Sequence, residues 1–293
     1  MRRGSTDIGG LKKGMKIARV FLHQNNMTPN DLDAYFGPPH LNTPIYDEVH
    51  ISVVFTWHKE QAQGLAEQWR RHSKRVLIGG PAFNDPGAEF IPGRYMRQGI
   101  TITSRGCPNN CVFCFVPKRE GKIRELPIQV GNIIQDNNFL ACSHSHRLKV
   151  YQMLKTQKRI CFKGGLEAVR LTVHEIEYMR GLRIREFWLA CDTPNSLWPV
   201  INAFVRLRTA GFKNYQFRCY VIIGKDIKEE TERLQTLLDF GIKPFAQLYR
   251  ADNPIQYSKE WKDLQCKWCR PAAMLAKKKP ELRRLNQLDK MTS

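Results

Sequence analysis

The sequence predicts an α/β protein made of two units, a small open α/β unit followed by a larger one of parallel strands. Three observations carry that prediction. Short runs of β-branched and apolar residues alternate with stretches of helical spacing along most of the chain. Clusters of Gly, Pro, Asn and Asp break the pattern after the strand-like runs, as strand-to-loop turns do. The rhythm also changes near residue 99, from a short irregular set of strands to a regular strand and helix repeat.

In the first unit, residues 16–98, Lys16 to Leu22 reads as a buried strand, and Val49 to Phe55 as a second. Between them Asn25 to Pro44 is rich in Asn, Pro and Gly and reads as loop. Lys59 to His72 carries helix formers, and Arg75 to Ile78 leads as a third strand into Gly79, Gly80 and Pro81. That order makes a small open α/β unit. Residues 1–15, basic and Gly-containing, are expected to be disordered.

From Ile100 onward six strand-like runs follow: Ile100 to Thr103, Asn132 to Gln135, Arg159 to Phe162, Glu186 to Cys191, Phe217 to Ile223 and Pro244 to Tyr249. Helical spacing lies between them at Arg147 to Gln157, Leu171 to Met179, Leu197 to Ala210 and Glu229 to Phe240. Such alternation requires crossover helices, hence parallel strands over residues 99–250. In architectures of that kind the chemistry gathers at the carboxyl ends of the strands. Residues 251–293 form a basic extension.

The formal net charge is +20, and 34 of the 47 Lys and Arg residues lie from Ile100 onward. A field of that sign attracts nucleic acid or an acidic substrate, though it reads no sequence, and solvated basic faces have the same composition. No run approaches the roughly 18–20 apolar residues of a membrane span. The N-terminus lacks a signal peptide's apolar centre. Nine cysteines, an odd and scattered number, argue against a disulfide framework. These features lead us to expect a cytoplasmic protein, with no membrane partner.

Three of those cysteines, Cys107, Cys111 and Cys114, share the loop CPNNCVFC. Ser104, Arg105, Gly106 and Pro108 turn the preceding strand into that loop. Three thiolates at these intervals converge on one face of an iron-sulfur cube and leave the fourth iron without a protein ligand. Zinc sites and ordinary ferredoxin runs instead bring a complete set of four. The stretch resembles the radical S-adenosylmethionine superfamily, whose signature is C-x3-C-x2-C with an aromatic residue before the last cysteine, here Phe113.

The resemblance implies a partial (β/α)6 barrel, a [4Fe-4S] cluster on Cys107, Cys111 and Cys114, and S-adenosylmethionine at the open iron. One electron from a flavodoxin or ferredoxin-type donor would release a 5'-deoxyadenosyl radical that abstracts hydrogen from a substrate. It also implies cofactor contacts. The segment QDNNF after the second strand looks like a variant of the Asp-rich motif that holds the cofactor's amino group, which puts forward Asp136, Asn137 and Asn138. An Asx turn is the other reading of those residues. Gly164, Gly165 and Glu167 resemble an interrupted Gly-Gly-Glu motif, and a tight turn is their alternative. Asp192 stands where relatives present a polar group to the ribose or the carboxylate. Gly224, in VIIGKD, matches the segment beside the adenine, or is a strand-to-helix turn.

The first unit resembles a shortened cobalamin-binding Rossmann-like domain, the match being IGGPAF at Ile78 to Phe83. The D-x-H-x-x-G segment that supplies a cobalt ligand is missing, so the unit is expected to be a degenerate scaffold without cobalamin. The pair Cys266 and Cys269 lacks two further ligands in sequence and reads as structural. The substrate expected is RNA or a nucleotide-linked molecule, then a peptide. Two readings of other classes stay open: a zinc-binding nucleic-acid module, and an iron-sulfur electron carrier without S-adenosylmethionine chemistry.

Overall fold

A computed structural model describes residues 14–85, 89–251, 255–270 and Met274. Residues 1–13 of the basic N-terminus and the Lys- and Arg-rich tail from Ala276 lie outside the described residues. The chain divides into two compact units, Met1–Gln98 and Gly99–Ser293. Both are mixed α/β with parallel sheets. Among the described residues no helix is long and apolar enough to cross a membrane.

The first unit contains β1 (Ile17–Phe21), β2 (Ala34–Phe36), β3 (Glu48–Ser52), α1 (Lys59–Trp69) and β4 (Val76–Gly79). They form a sheet in the order β2-β1-β3-β4, parallel throughout. Its core joins Ala18, Val20, Val49 and Ile51 of the strands to Ala62, Leu65, Ala66 and Trp69 of α1. Strand β2 corrects the reading of Asn25 to Pro44 as loop. It is three half-buried residues on the sheet edge, and its pairing with Arg19 to Phe21 is long-range information that local composition does not carry. At the end of β4, Gly80 has φ +102°, and a Cβ there would stand 2.8 Å from the Val53 carbonyl oxygen. Only glycine fits that turn.

The second unit opens with β5 (Ile100–Thr101), β6 (Ser104–Arg105), α2 (Val116–Arg119), β7 (Arg124–Glu125) and β8 (Ile133–Ile134). It continues with α3 (His144–Lys155), β9 (Ile160–Leu166), α4 (Val173–Arg180), β10 (Ile184–Ala190) and α5 (Leu197–Thr209). The last elements are β11 (Phe217–Ile223), α6 (Ile227–Phe240), β12 (Lys243–Leu248) and α7 (Lys259–Cys269). Six strands make one parallel sheet in the order β12-β11-β10-β9-β8-β5, which is sequence order across the sheet. In strand β11 residues 217, 219, 221 and 223 are buried while 218, 220 and 222 are half-buried, so its two faces meet different surroundings.

The buried face carries the core. Phe162, Phe187, Leu189, Phe217, Val221 and Ile223 pack against Val150 and Leu154 of α3, Ile176 and Met179 of α4, Phe204 and Leu207 of α5, and Leu234 and Leu237 of α6. Local chemistry sets the helix ends. The Ser143, Thr172 and Asp226 side chains accept backbone N–H bonds at the starts of α3, α4 and α6. Gly241, at φ +96°, closes α6.

Two features differ from the sequence reading. Strand β9 does not end at Phe162 but runs on through Gly164 and Gly165 to Leu166, with a register irregularity against β10 in that stretch. Gly165 takes φ +92° there, so the glycines serve a bulged strand rather than a turn after it. Ser104 and Arg105, read as loop, pair antiparallel with Glu125 and Arg124 as β6 and β7. The cysteine loop is therefore closed at its base by a two-stranded ribbon.

Candidate functional site

The carboxyl ends of β5, β8, β9 and β10 lead into Thr103, Asp136, Glu167 and Asp192, and the cysteine loop hangs from the same edge on β6 and β7. Gly106, at φ +80°, begins the loop, and a Cβ on it would lie 2.2 Å from the Lys122 carbonyl oxygen, so the two loop ends approach as only glycine allows. The Cys107 N–H then donates to the Gly121 carbonyl at 3.1 Å, and the Cys114 N–H to the Cys111 carbonyl at 3.0 Å.

Glu120, buried at the end of α2, ties this loop down. Its Oε2 accepts from the Gly106 N–H at 3.2 Å and from the Asn137 amide, while Arg105 stands 3.7 Å from its Oε1. No spacing in the sequence marks this residue. Its partners lie on separate elements, and only the folded ribbon brings them together.

Asn138 makes the most direct contact with a cysteine. Its Nδ2 stands 3.4 Å from the Cys107 Sγ and donates to Glu167 Oε2 at 2.7 Å. The residue is only 4% exposed, and its Oδ1 is buried without a hydrogen-bond partner. A buried acceptor left empty is costly, and it invites a donor from a ligand. Glu167 also accepts from Arg170 Nε at 2.6 Å. Burial acts to raise its carboxyl pKa, but the bonds from Asn138, Asn109 and Arg170 outweigh it and hold the group below the usual carboxylate range.

Asp136 sits differently from the cofactor contact that the sequence implied. Its carboxylate is 1% exposed and turned inward, accepting from the Thr103 N–H and Oγ1, each at 2.6 Å, and from Ser104 Oγ at 3.0 Å. It positions the strand that enters the cysteine loop. Gly164 lies under the same segment, where a Cβ would be 1.7 Å from the Asp136 carbonyl oxygen. Gly165 has open space beside it, the nearest atom being Tyr220 Cδ2 at 4.0 Å. Gly224, at φ +132°, makes room for Tyr257, whose Oη would be 2.5 Å from a Cβ at that position. Phe113 and Cys114 line a cavity of about 220 Å³ together with Phe115, Lys118 and Tyr249.

Two of the three thiols are raised by their surroundings. Burial raises the Cys111 thiol, and Cys107, Asp192 and Glu167 raise it further. Cys114 is raised by burial first, then by Cys111, Cys107 and Asp192, against a lowering contact from the Val116 backbone. The neighbouring sulfurs and carboxylates thus disfavour the thiolate forms of Cys111 and Cys114, a cost that a bound cation would relieve. Among the described residues no group of three or more His, Cys, Asp or Glu side chains is arranged to hold a metal ion. Three thiols carried on one loop are the donor type that an iron-sulfur cluster takes.

Asp192 accepts from the Ile222 N–H at 3.0 Å. Burial pushes its pKa up to about 6, with the Ile222 bond and Arg233 acting in the other direction. A carboxyl raised in the folded state favours folding in its protonated form. That contribution is complete below the unfolded carboxyl's range and is lost as the pH rises through about 6. Asp192→Asn is therefore expected to gain stability over the native chain progressively between about pH 4 and pH 7. Urea midpoints across that range test this, and a constant difference would contradict it.

Compared with known proteins, the chain matches no family model and no curated protein.

Proposed function

We propose that the chain is a radical S-adenosylmethionine enzyme and that its second unit is a partial (β/α)6 barrel. Six parallel strands in sequence order, with helices against one face, support the barrel reading. The observation that carries the functional reading is the meeting of the C-x3-C-x2-C loop with the end of β8, where Asn138 touches Cys107 and keeps a buried acceptor empty.

Cys107, Cys111 and Cys114 would hold a [4Fe-4S] cluster, which supplies reductive cleavage of S-adenosylmethionine bound at its open iron. Asn138 Oδ1 offers an acceptor to the cofactor's ammonium group, and Glu167, kept ionised by its three donors, adds negative charge beside it. Asp136 and Glu120 fix the two ends of the loop. Phe113 walls one side of the loop's cavity. A flavodoxin or ferredoxin-type donor would supply the electron, and the basic charge favours an acidic, nucleotide-linked substrate.

Anaerobic purification followed by reconstitution with iron and sulfide tests the metal. The proposal expects a brown, oxygen-sensitive protein. A colourless protein that keeps zinc in air would overturn it in favour of a zinc module.

A further inference from the structure

The six-stranded sheet has a second face, away from its helices, and that face carries a cluster the proposed chemistry does not use. On β10, Glu186 and Trp188 point there. Lys163 of β9, Arg218 and Tyr220 of β11, and Phe245 of β12 surround them. Trp188 is buried yet stands outside the helix-packed core. Its ring stacks on Tyr220 at 4.5 Å, with Lys163 Nζ at 5.7 Å and Arg218 Cζ at 5.5 Å from its centroid. Tyr220 Oη donates to the Lys163 carbonyl at 3.1 Å, which fixes the backbone under the lysine.

Charge in this cluster does not balance. Lys163, Arg185 and Arg218 stand 3.9, 3.8 and 3.9 Å from the one carboxylate, Glu186. All three distances exceed a hydrogen bond. The nearer donor to Glu186 is neutral, Trp188 Nε1 at 3.0 Å. Arg218 Nε is buried and has no hydrogen-bond partner. A guanidinium donor held from water without an acceptor is costly, and here it lies beside a second cation with too little opposing charge. An oxyanion between Lys163 and Arg218 would satisfy the donor and the charge together. Both side chains remain about a quarter exposed, 26% and 25%, so a ligand can reach them.

We propose that this cluster is a subsite for the phosphate group of a phosphate ester, with Lys163 and Arg218 as the binding cations. Glu186 limits the positive charge there. The cluster lies below the catalytic edge: Trp188 precedes Asp192 by four residues, about 13 Å along an extended strand. A phosphate held here would leave the rest of a ligand of nucleotide or sugar-phosphate size extending towards the cysteine loop. Calling that ligand the substrate rests on the function proposed above. The binding itself does not, and it is measured without iron or S-adenosylmethionine.

The test is calorimetric titration of the full chain with inorganic phosphate, a nucleoside monophosphate and a sugar phosphate, at constant ionic strength so that screening does not vary. Saturable phosphate binding is expected. Arg218→Gln and Lys163→Gln should each weaken it about tenfold or more, the weight of one charge-assisted hydrogen bond. Glu186→Gln should tighten it several-fold, and Lys59→Gln in the first unit should leave it unchanged. The order of affinity among the two esters identifies which carries the phosphate. Thermal melts check each variant, and Lys163→Gln decides the matter if Arg218→Gln fails to fold. No saturable binding by the native chain, binding unmoved by the cation variants, or no tightening in Glu186→Gln would each overturn the assignment.

Discussion

Gly164→Ala is expected to cost about 3 kcal/mol or more and to lower the melting temperature by roughly 10 °C. The reason is a single contact. The new methyl group would lie 1.7 Å from the Asp136 carbonyl oxygen, with the Asp136 carbonyl carbon and nitrogen at 2.8 and 3.0 Å. These are backbone atoms, so no rotamer change relieves the clash. Backbone movement at Asp136 would also strain the three hydrogen bonds from Thr103 and Ser104 that fix the entry to the cysteine loop. Loop order and stability should therefore fall together. Gly165→Ala is the control. Its surroundings are open, and only its positive φ opposes a side chain, which costs about 1–2 kcal/mol. Urea denaturation of both variants measures the difference, and equal losses would contradict this account.

The second large effect concerns iron. Replacing any one of Cys107, Cys111 and Cys114 by Ala should reduce reconstituted iron from about four per chain to well under one, since two thiolates do not hold a cube that three secure. Cys266→Ala and Cys269→Ala should leave it unchanged. Those two lie on α7, where the Cys269 thiol stands 3.5 Å from the Cys266 carbonyl oxygen. Iron retained in Cys114→Ala, or lost in Cys266→Ala, would move the metal away from the loop.

Much of the strand and helix order was legible because it rests on local periodicity. Residues 217–223 alternate, and the six runs read from Ile100 onward overlap β5, β8, β9, β10, β11 and β12. The cysteine loop was legible for another reason: three thiols in eight residues need no tertiary information to be noticed. What escaped depends on distant partners. Strand β2 exists through its pairing with β1, and β6 through its pairing with β7. Composition alone made Asp136, Asn137 and Asn138 equivalent candidates. Folding separates them, since Asp136 turns inward to Thr103, Asn137 reaches Glu120, and Asn138 meets Cys107. The cluster around Trp188 was equally hidden, because Lys163, Glu186 and Arg218 come from three strands that only the sheet register aligns.

The most direct test of the central claim is the fate of S-adenosylmethionine on the reduced, iron-loaded chain under anaerobic conditions. Chromatography should show 5'-deoxyadenosine accumulating with the native protein and none with Cys114→Ala. Asn138→Leu, which removes the empty acceptor, should slow its formation at limiting cofactor more than at saturation. A reduced, spectroscopically verified cluster that yields no 5'-deoxyadenosine would contradict the account and leave an electron carrier in its place.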